Sequence, residues 1–335
     1  MSDLPQGEME LFCPPLRADE ARKWFRENRS RKQTDKRMTV KEAVEKFVHD
    51  GDYVGIGAFG HIRVPMAIIF EVVRQKKRNL RVAGHTACHD LDFLMAGGCV
   101  SHVDVAYAFG HELRPVRTKV GDRLVKAGKL KTTEWSNSAF SWRYKAAALG
   151  LSFFPARVML GTDTFKYSGA KTIRCPFTGD IYCALPALHP DIAFIHVPRA
   201  DKFGNCQIDG ITIADKDLAR AAKRLIISTE KIIDNEEIRA QPHLTMIPYF
   251  CVDAVVEQPY GSHPCEMPYL YWFDEELIAE YIKATHDEKA TQAYIDKYVY
   301  GTKDFNEYIQ LVGGEEKMKY LKRIEDFQEK PPYPW

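Results

Sequence analysis

Tyr53-Val54-Gly55-Ile56-Gly57-Ala58-Phe59-Gly60-His61-Ile62-Arg63-Val64-Pro65 is the stretch on which the fold turns. Its first five residues read as a short apolar strand entered through the Gly51-Asp52 turn. Pro65, whose fixed φ suits the first turn of a helix, opens a helical period that buries Ile68, Ile69, Val72 and Val73 and ends in the basic run Arg74 to Arg78. A second strand, Leu80 to Ala83, follows at once. Strand, loop, helix and strand in that order form the unit from which mostly parallel sheets covered on both faces are built.

The same alternation extends in both directions. Upstream, Thr39-Val40-Lys41-Glu42 has capping-box spacing ahead of Val44, Phe47 and Val48. Downstream, Val103 to Ala106, Arg157 to Leu160, Ile192 to Val197 and Leu225 to Ser228 read as strands, with Ile208 to Gly210 continuing beyond a turn. Helices are expected near Val116 to Ala127 and Ser141 to Leu149, and Asp215 is expected to cap one running through Leu218, Ala221 and Ala222. From Asp274 the period is helical: Asp274 to Lys283, Asp287 to Tyr298, and Glu315 to about Phe327. The chain therefore reads as an α/β protein with an open, mostly parallel sheet flanked by helices. Residues 1–37 form an N-terminal appendage with a helix from Asp19 to about Arg31. Residues 38–270 form the α/β domain, and 271–335 a helical C-terminal extension packed on it.

Composition narrows the class. The 335 residues are 45% hydrophobic and 28% charged with a formal net charge of +1, enough apolar material for a large core and too much for disorder. Near-neutrality gives no electrostatic reason to expect nucleic acid or an anionic membrane as partner. The basic cluster Arg29 to Arg37 reads as a solvated linker or surface helix. No run reaches the roughly 18 apolar residues of a membrane span. Residues 1–15 mix Asp3, Glu8 and Glu10 with prolines, unlike a signal or transit peptide. The eight cysteines lie far apart with no C-x-x-C pair, the pattern of reduced, mostly buried thiols. A soluble, cytoplasmic protein is expected.

Gly55-Ile56-Gly57-Ala58-Phe59-Gly60 matches the dinucleotide-binding G-x-G-x-x-G, which would suggest a nicotinamide-dependent oxidoreductase. Two details argue against that reading. The helix begins at Pro65 rather than at the glycines, so its N–H groups are not where a pyrophosphate would meet them. The second strand ends in Gly84-His85 rather than in an acidic residue for the ribose. The loop remains notable, because Phe59, His61 and Arg63 are costly side chains to display unless something covers them. A tight turn at a subunit contact and a ligand contact both fit, and both hold if the ligand sits at that contact. His85 and His89 are four apart beside Asp90 and Asp92, a spacing that suits a metal only on a helix. Gly84 and the strand end at His85 favour instead His85 and Thr86 lining the C-terminal edge of the sheet, where open α/β sheets bind ligands. The dense aromatic run Tyr269, Tyr271, Trp272 and Phe273 reads as subunit interface.

Three blocks resemble the α subunits of class I coenzyme A transferases. Gly57 to Pro65 resembles the family's G-G-F-G-x-x-G-x-P, with Ala58 and Arg63 standing where the family has glycine. Asp191-Ile192-Ala193-Phe194-Ile195-His196 followed by Ala200-Asp201-Lys202-Phe203-Gly204-Asn205 resembles D-x-A-x-I-x-x-x-x-A-D-x-x-G-N. Ile232 to Arg239, Ile247-Pro248, Cys251 to Val256 and Pro259 to Pro264 are similar to glutaconate CoA-transferase α chains in particular. The resemblance spans about Thr39 to Gly313 and implies an acyl-CoA:carboxylate CoA-transferase working by ping-pong through a glutamate on a homologous β subunit, in an α2β2 or α4β4 assembly. The β-type Glu-Asn-Gly motif is absent here, since the lone Glu-Asn, Glu27-Asn28, precedes Arg29. No catalytic residue is therefore expected in this chain. No metal or permanently bound cofactor is expected either, coenzyme A entering as part of the substrate.

The resemblance implies that this chain walls the pocket. Gly57, Ala58, Phe59, Gly60, His61 and Arg63 would contact substrate, the backbone N–H groups of 57–60 facing an acyl oxygen or carboxylate. Arg63 would hold the distal carboxylate of a short dicarboxylic acyl group such as glutaconate. His85, Thr86, Ser136, Asn137 and Ser138 are further pocket candidates, and Tyr260 to His263 weaker ones. The alternatives on the same two-chain fold are a hydrolase that opens a cyclic β-diketone acyl-CoA and a decarboxylase.

Overall fold

The computed structural model describes residues 4–108, 110–111 and 114–332; the ends of both terminal segments, 1–3 and 333–335, lie outside the described residues. Among the described residues seven parallel strands stand in the order Ala254–Glu257, Arg224–Ile232, Ile192–Ala200, Tyr53–Ile56, Leu80–Ala87, Val100–Ala108 and Lys131–Glu134. Two short antiparallel strands, Cys206–Gln207 and Thr245–Ile247, extend the sheet alongside the end of Ile192–Ala200. Tyr53–Ile56 is central. From it the chain winds outward through residues 80, 100 and 131, then crosses to Ile192 and winds outward on the other side. The order thus reverses between Tyr53–Ile56 and Ile192–Ala200.

The alternation of side chains along each strand divides them between two cores. Val54, Ile56, Ile192, Phe194, Ile226 and Val256 face one, packed under the helices Val40–Phe47, Met66–Arg74 and His89–Ala96. Tyr53, Ala83, Ala193, Ile195, Leu225 and Ile227 face the other, under Asn137–Leu149 and Asp215–Ala221. The C-terminal helices add Tyr281, Tyr294, Val299, Phe305, Tyr308 and Leu321 to the first core. At the other end of the chain, Phe12 is buried in the second core, and Gly7 and Met9 donate backbone hydrogen bonds to Ala170 and Ser168.

Several boundaries differ from the sequence expectation. Arg157 to Leu160 is not a strand: the strand is Phe153–Ala156, paired antiparallel with Ile181–Pro186, which also pairs with Lys171–Arg174. The chain turns at Met159, whose φ is +70°. Ile208 to Gly210 is likewise irregular, with Gly210 at φ +76°. The helix of the 116–127 region is Val120–Lys126, after a strand Arg114–Arg117. Phe305–Leu311 is an additional helix, capped by Asp304. Of the aromatic run read as interface, Tyr271 and Phe273 are buried core and Tyr269 is exposed. Asp215 does not cap its helix; the N-cap position is Ala214, and the Asp215 side chain is used elsewhere.

Candidate active site

Residues 57–64 leave the central strand at the point where the strand order reverses, the place in an open parallel sheet where neighbouring loops diverge and leave a crevice. The loop is pinned on three sides. Gly57 N–H donates to the Phe194 carbonyl (2.8 Å), Gly60 N–H to Thr86 (3.0 Å), and Arg63 N–H to Glu266 (2.9 Å), while Phe59 and Ile62 bond each other's backbone. A Cβ on Gly57 would lie 2.5 Å from Asp215 Oδ1 and 2.8 Å from Ile195, so no larger residue fits there without a shift.

Asp215 also explains Arg63. That residue has φ +53°, the left-handed region that costs a non-glycine residue ~1–2 kcal/mol, and it stands where the resembling family has glycine. Its side chain is 2% exposed. Nη2 donates to Asp215 Oδ2 at 2.6 Å and to the Ile211 carbonyl. Burial pushes the Asp215 carboxyl up and the Arg63 charge pulls it back. Arg63 is thus a strut holding the loop to the helix Asp215–Ala221. Only the Nη2 corner of its fork is spent on Asp215; its buried Nε and Nη1 have no hydrogen-bond partner among the described residues. Sequence reasoning missed Asp215 because nothing local links two residues so far apart in the chain.

The other candidates converge. His85 and Thr86 lie at the C-terminal end of the strand Leu80–Ala87, which runs longer than the sequence suggests, and the His85 ring packs 5.7 Å from Phe59 and 6.5 Å from Phe140. Burial lowers the His85 pKa, partly offset by a backbone hydrogen bond with Asn137, and so favours the neutral imidazole. Ser136 caps the helix Asn137–Leu149 by accepting from Ala139 N–H at 3.2 Å, and Asn137 and Ser138 are exposed beside it. The three separate stretches therefore meet, with the positive end of a 13-residue helix at the same place. His61 stacks on Phe273 at 5.5 Å, and burial pushes its pKa down to about 4. Phe140 and Phe273 are site neighbours the sequence did not reveal, since aromatic residues in helical or buried patterns look like ordinary core.

The oxygen-binding role expected of the loop backbone is narrowed. Among the N–H groups of 57–60, those of Gly57, Phe59 and Gly60 have backbone acceptors, and that of half-buried Ala58 has none among the described residues. Ser262 and His263 do not line the opening: both are buried, and His263 is held by Tyr308 (2.8 Å) and Asp274 (3.3 Å). His85 and His89 share no helix, because His89 begins the next one. Among the described residues no group of histidine, cysteine and acidic side chains has the arrangement of a metal site. In chemical terms the arrangement offers the Ala58 N–H, an imidazole, hydroxyls and a helix N-terminus, the means to bind and orient a carboxylate or thioester oxygen.

An open, mostly parallel sheet flanked by helices, with a pinned glycine loop at its switch point, defines an α/β protein whose candidate site lies at the C-terminal edge of the strands. Residues 37–258 match the coenzyme A transferase family model, and the chain belongs to that family. It is 35% identical to one of the subunits of glutaconate CoA-transferase from Acidaminococcus fermentans over 301 residues, 82% of this chain and 91% of that one. The crystal structure of that enzyme superposes with a TM-score of 0.81 at 33% identity, covering 85% of this chain and 95% of the other. One of the subunits of 3-oxoadipate CoA-transferase from Pseudomonas knackmussii is 33% identical, covering 81% and 96%. The decarboxylase AibA/AibB shares the fold at a TM-score of 0.72 and 28% identity, covering 79% and 98%.

Proposed function

We propose that this chain is the α subunit of a cytoplasmic heteromeric acyl-CoA:carboxylate CoA-transferase whose glutamate nucleophile lies on a homologous β subunit. The observation that carries the reading is the loop 57–64, pinned at the switch point beside His85 and the start of the helix Asn137–Leu149, in a chain without the Glu-Asn-Gly motif. In such an enzyme the partner's carboxylate attacks the acyl-CoA carbonyl and thiolate leaves, giving an acyl-glutamyl anhydride. The thiolate then attacks the glutamyl carbonyl and releases the first carboxylate. An acceptor carboxylate resolves the resulting glutamyl-CoA thioester, which is ping-pong catalysis. In this reading Ala58 N–H meets an oxyanion, and His85, Thr86 and residues 136–138 bound the acyl group. Similarity to two transferases named for dicarboxylic acids supports a short dicarboxylic substrate such as glutaconate, in an α2β2 or α4β4 assembly.

A second reading, decarboxylation or hydrolysis of an acyl-CoA, is favoured by the likeness to the decarboxylase. Mild purification from the native source, sequencing of the co-purifying chain and borohydride trapping after acyl-CoA addition separate the two. A partner carrying Glu-Asn-Gly and a trapped glutamyl thioester support transfer. A homologous partner with another residue there supports the second reading. Full activity of this chain by itself would overturn both.

A further inference from the structure

The basic cluster that reads as solvated linker builds something else. A cavity of about 430 Å³ lies between the helix Ala18–Asn28, the last turn of Asn137–Leu149, Arg220 and Phe250. Five arginines line it: Arg22, Arg26, Arg29, Arg31 and Arg220. No acidic residue does. Among the ion pairs of the described residues, Arg22 meets Asp19 at 3.5 Å on the exposed side of its helix, and the other four meet no carboxylate. The nearby Asp253 is already taken by Arg224 at 3.0 Å and by Leu225 N–H.

Arg29 is the floor of the cavity. It donates to the carbonyls of Ala219 (3.1 Å) and Ala222 (2.5 Å) at the end of the helix Asp215–Ala221 and lies 4.3 Å over the Phe25 ring, while its buried Nε has no hydrogen-bond partner. Burial lowers its pKa, Cys251 and Asp253 pull it back up, and the charges of Arg220 and Arg224 push with burial. Phe250 (43% exposed) and Leu149 (60% exposed) leave apolar surface beside the charges. Five like charges with one ion pair among them, Arg22 with Asp19, repel one another, and an anion in the cavity relieves that repulsion. A monocarboxylate brings one charge, whereas phosphate groups bring more charge in the same volume and suit guanidinium forks.

We propose that this arginine-lined cavity binds a phosphorylated ligand of nucleoside-diphosphate size, its phosphates among Arg22, Arg26, Arg29, Arg31 and Arg220 and its flat body against Phe250. The cavity lies at the N-terminal edge of the sheet, near the start of Arg224–Ile232, opposite the loop 57–64. Its first wall, Ala18–Asn28, falls outside the residues matched by the family model.

Calorimetric titration of the full-length chain at low salt with ADP and with pyrophosphate tests the proposal without reference to catalysis. Both probes bind, and Arg26→Glu combined with Arg220→Glu, two side chains on the cavity rim, weakens each at least tenfold while the circular dichroism spectrum is unchanged. Phe250→Ala weakens ADP and leaves pyrophosphate as it was. Absence of binding to the native chain, or equal binding by the charge-reversed variant, overturns the site. ADP binding that Phe250→Ala does not touch overturns the assignment of the flat body.

Discussion

Position 63 asks two incompatible things of one residue. Its backbone is left-handed, which favours glycine, yet its side chain neutralises a carboxylate buried against Gly57. Arg63→Ala keeps the backbone strain and strands Asp215, so a loss of about 3–5 kcal/mol is expected in urea unfolding. Arg63→Gly with Asp215→Ser removes the strain and the charge together and is expected to cost clearly less than Arg63→Ala. If the single and double variants are equally unstable, the strut is not what holds the loop. The same residue shows where sequence reading stops. Arg63 on a glycine-rich loop looks like a ligand-facing cation, and neither its depth nor its partner 152 positions away is visible in the local sequence.

At the scale of elements, caps legible in the sequence were placed well where the side chain was free to cap. Thr39 accepts from Glu42 N–H at 3.2 Å, and Glu42 returns to Thr39 N–H at 2.8 Å, as the spacing indicates. Asp215 fails as a cap because Arg63 claims it. Ser136 is the reverse: read as a pocket residue, it is also an N-cap. Ser136→Ala is expected to lower stability by about 1 kcal/mol, and Ser136→Asp to restore it, measured by urea unfolding. An unaltered midpoint in the alanine variant would mean the helix start beside His85 is held by something else. Strands were legible where apolar runs lie buried on both faces, as in Ile192–Ala200, and illegible in the antiparallel sheet of residues 153–186, whose short strands are partly exposed and carry no clear period.

Over the whole molecule, burial of ionisable groups behind the site sets a pH dependence. Asp90 and Asp92, in the first turn of the helix that follows Leu80–Ala87, are pushed by burial up to about 7 and about 6. Their folded pKa values lie above the unfolded ones, so their contribution is full below about pH 4 and is lost as pH rises through 6 to 7. Burial has the opposite consequence for His61 and His89, pushed down to about 4 and about 3: stability is lost as pH falls below the ordinary 6.5. Asp90→Asn removes one of these groups. Its stability relative to the native chain is expected to improve by about 1.4 kcal/mol per pH unit between roughly pH 4 and 7 and to stay level above. A difference that does not change with pH would show that Asp90 titrates normally.

The sequence by itself determined the class of fold, the family and the three stretches that meet at the site, because strand and helix periods, glycine spacing and local motifs are properties of neighbouring residues. Among the described residues no helix is long and apolar enough to cross a membrane. What only the tertiary structure decided are the pairings between distant positions. Arg63 turns inward to Asp215, three of the four loop N–H groups are spent on the protein's own carbonyls, and arginines from the first helix and from Arg220 gather around one cavity. Such pairings depend on burial and on which surfaces the folded sheet brings together, and no local period encodes them.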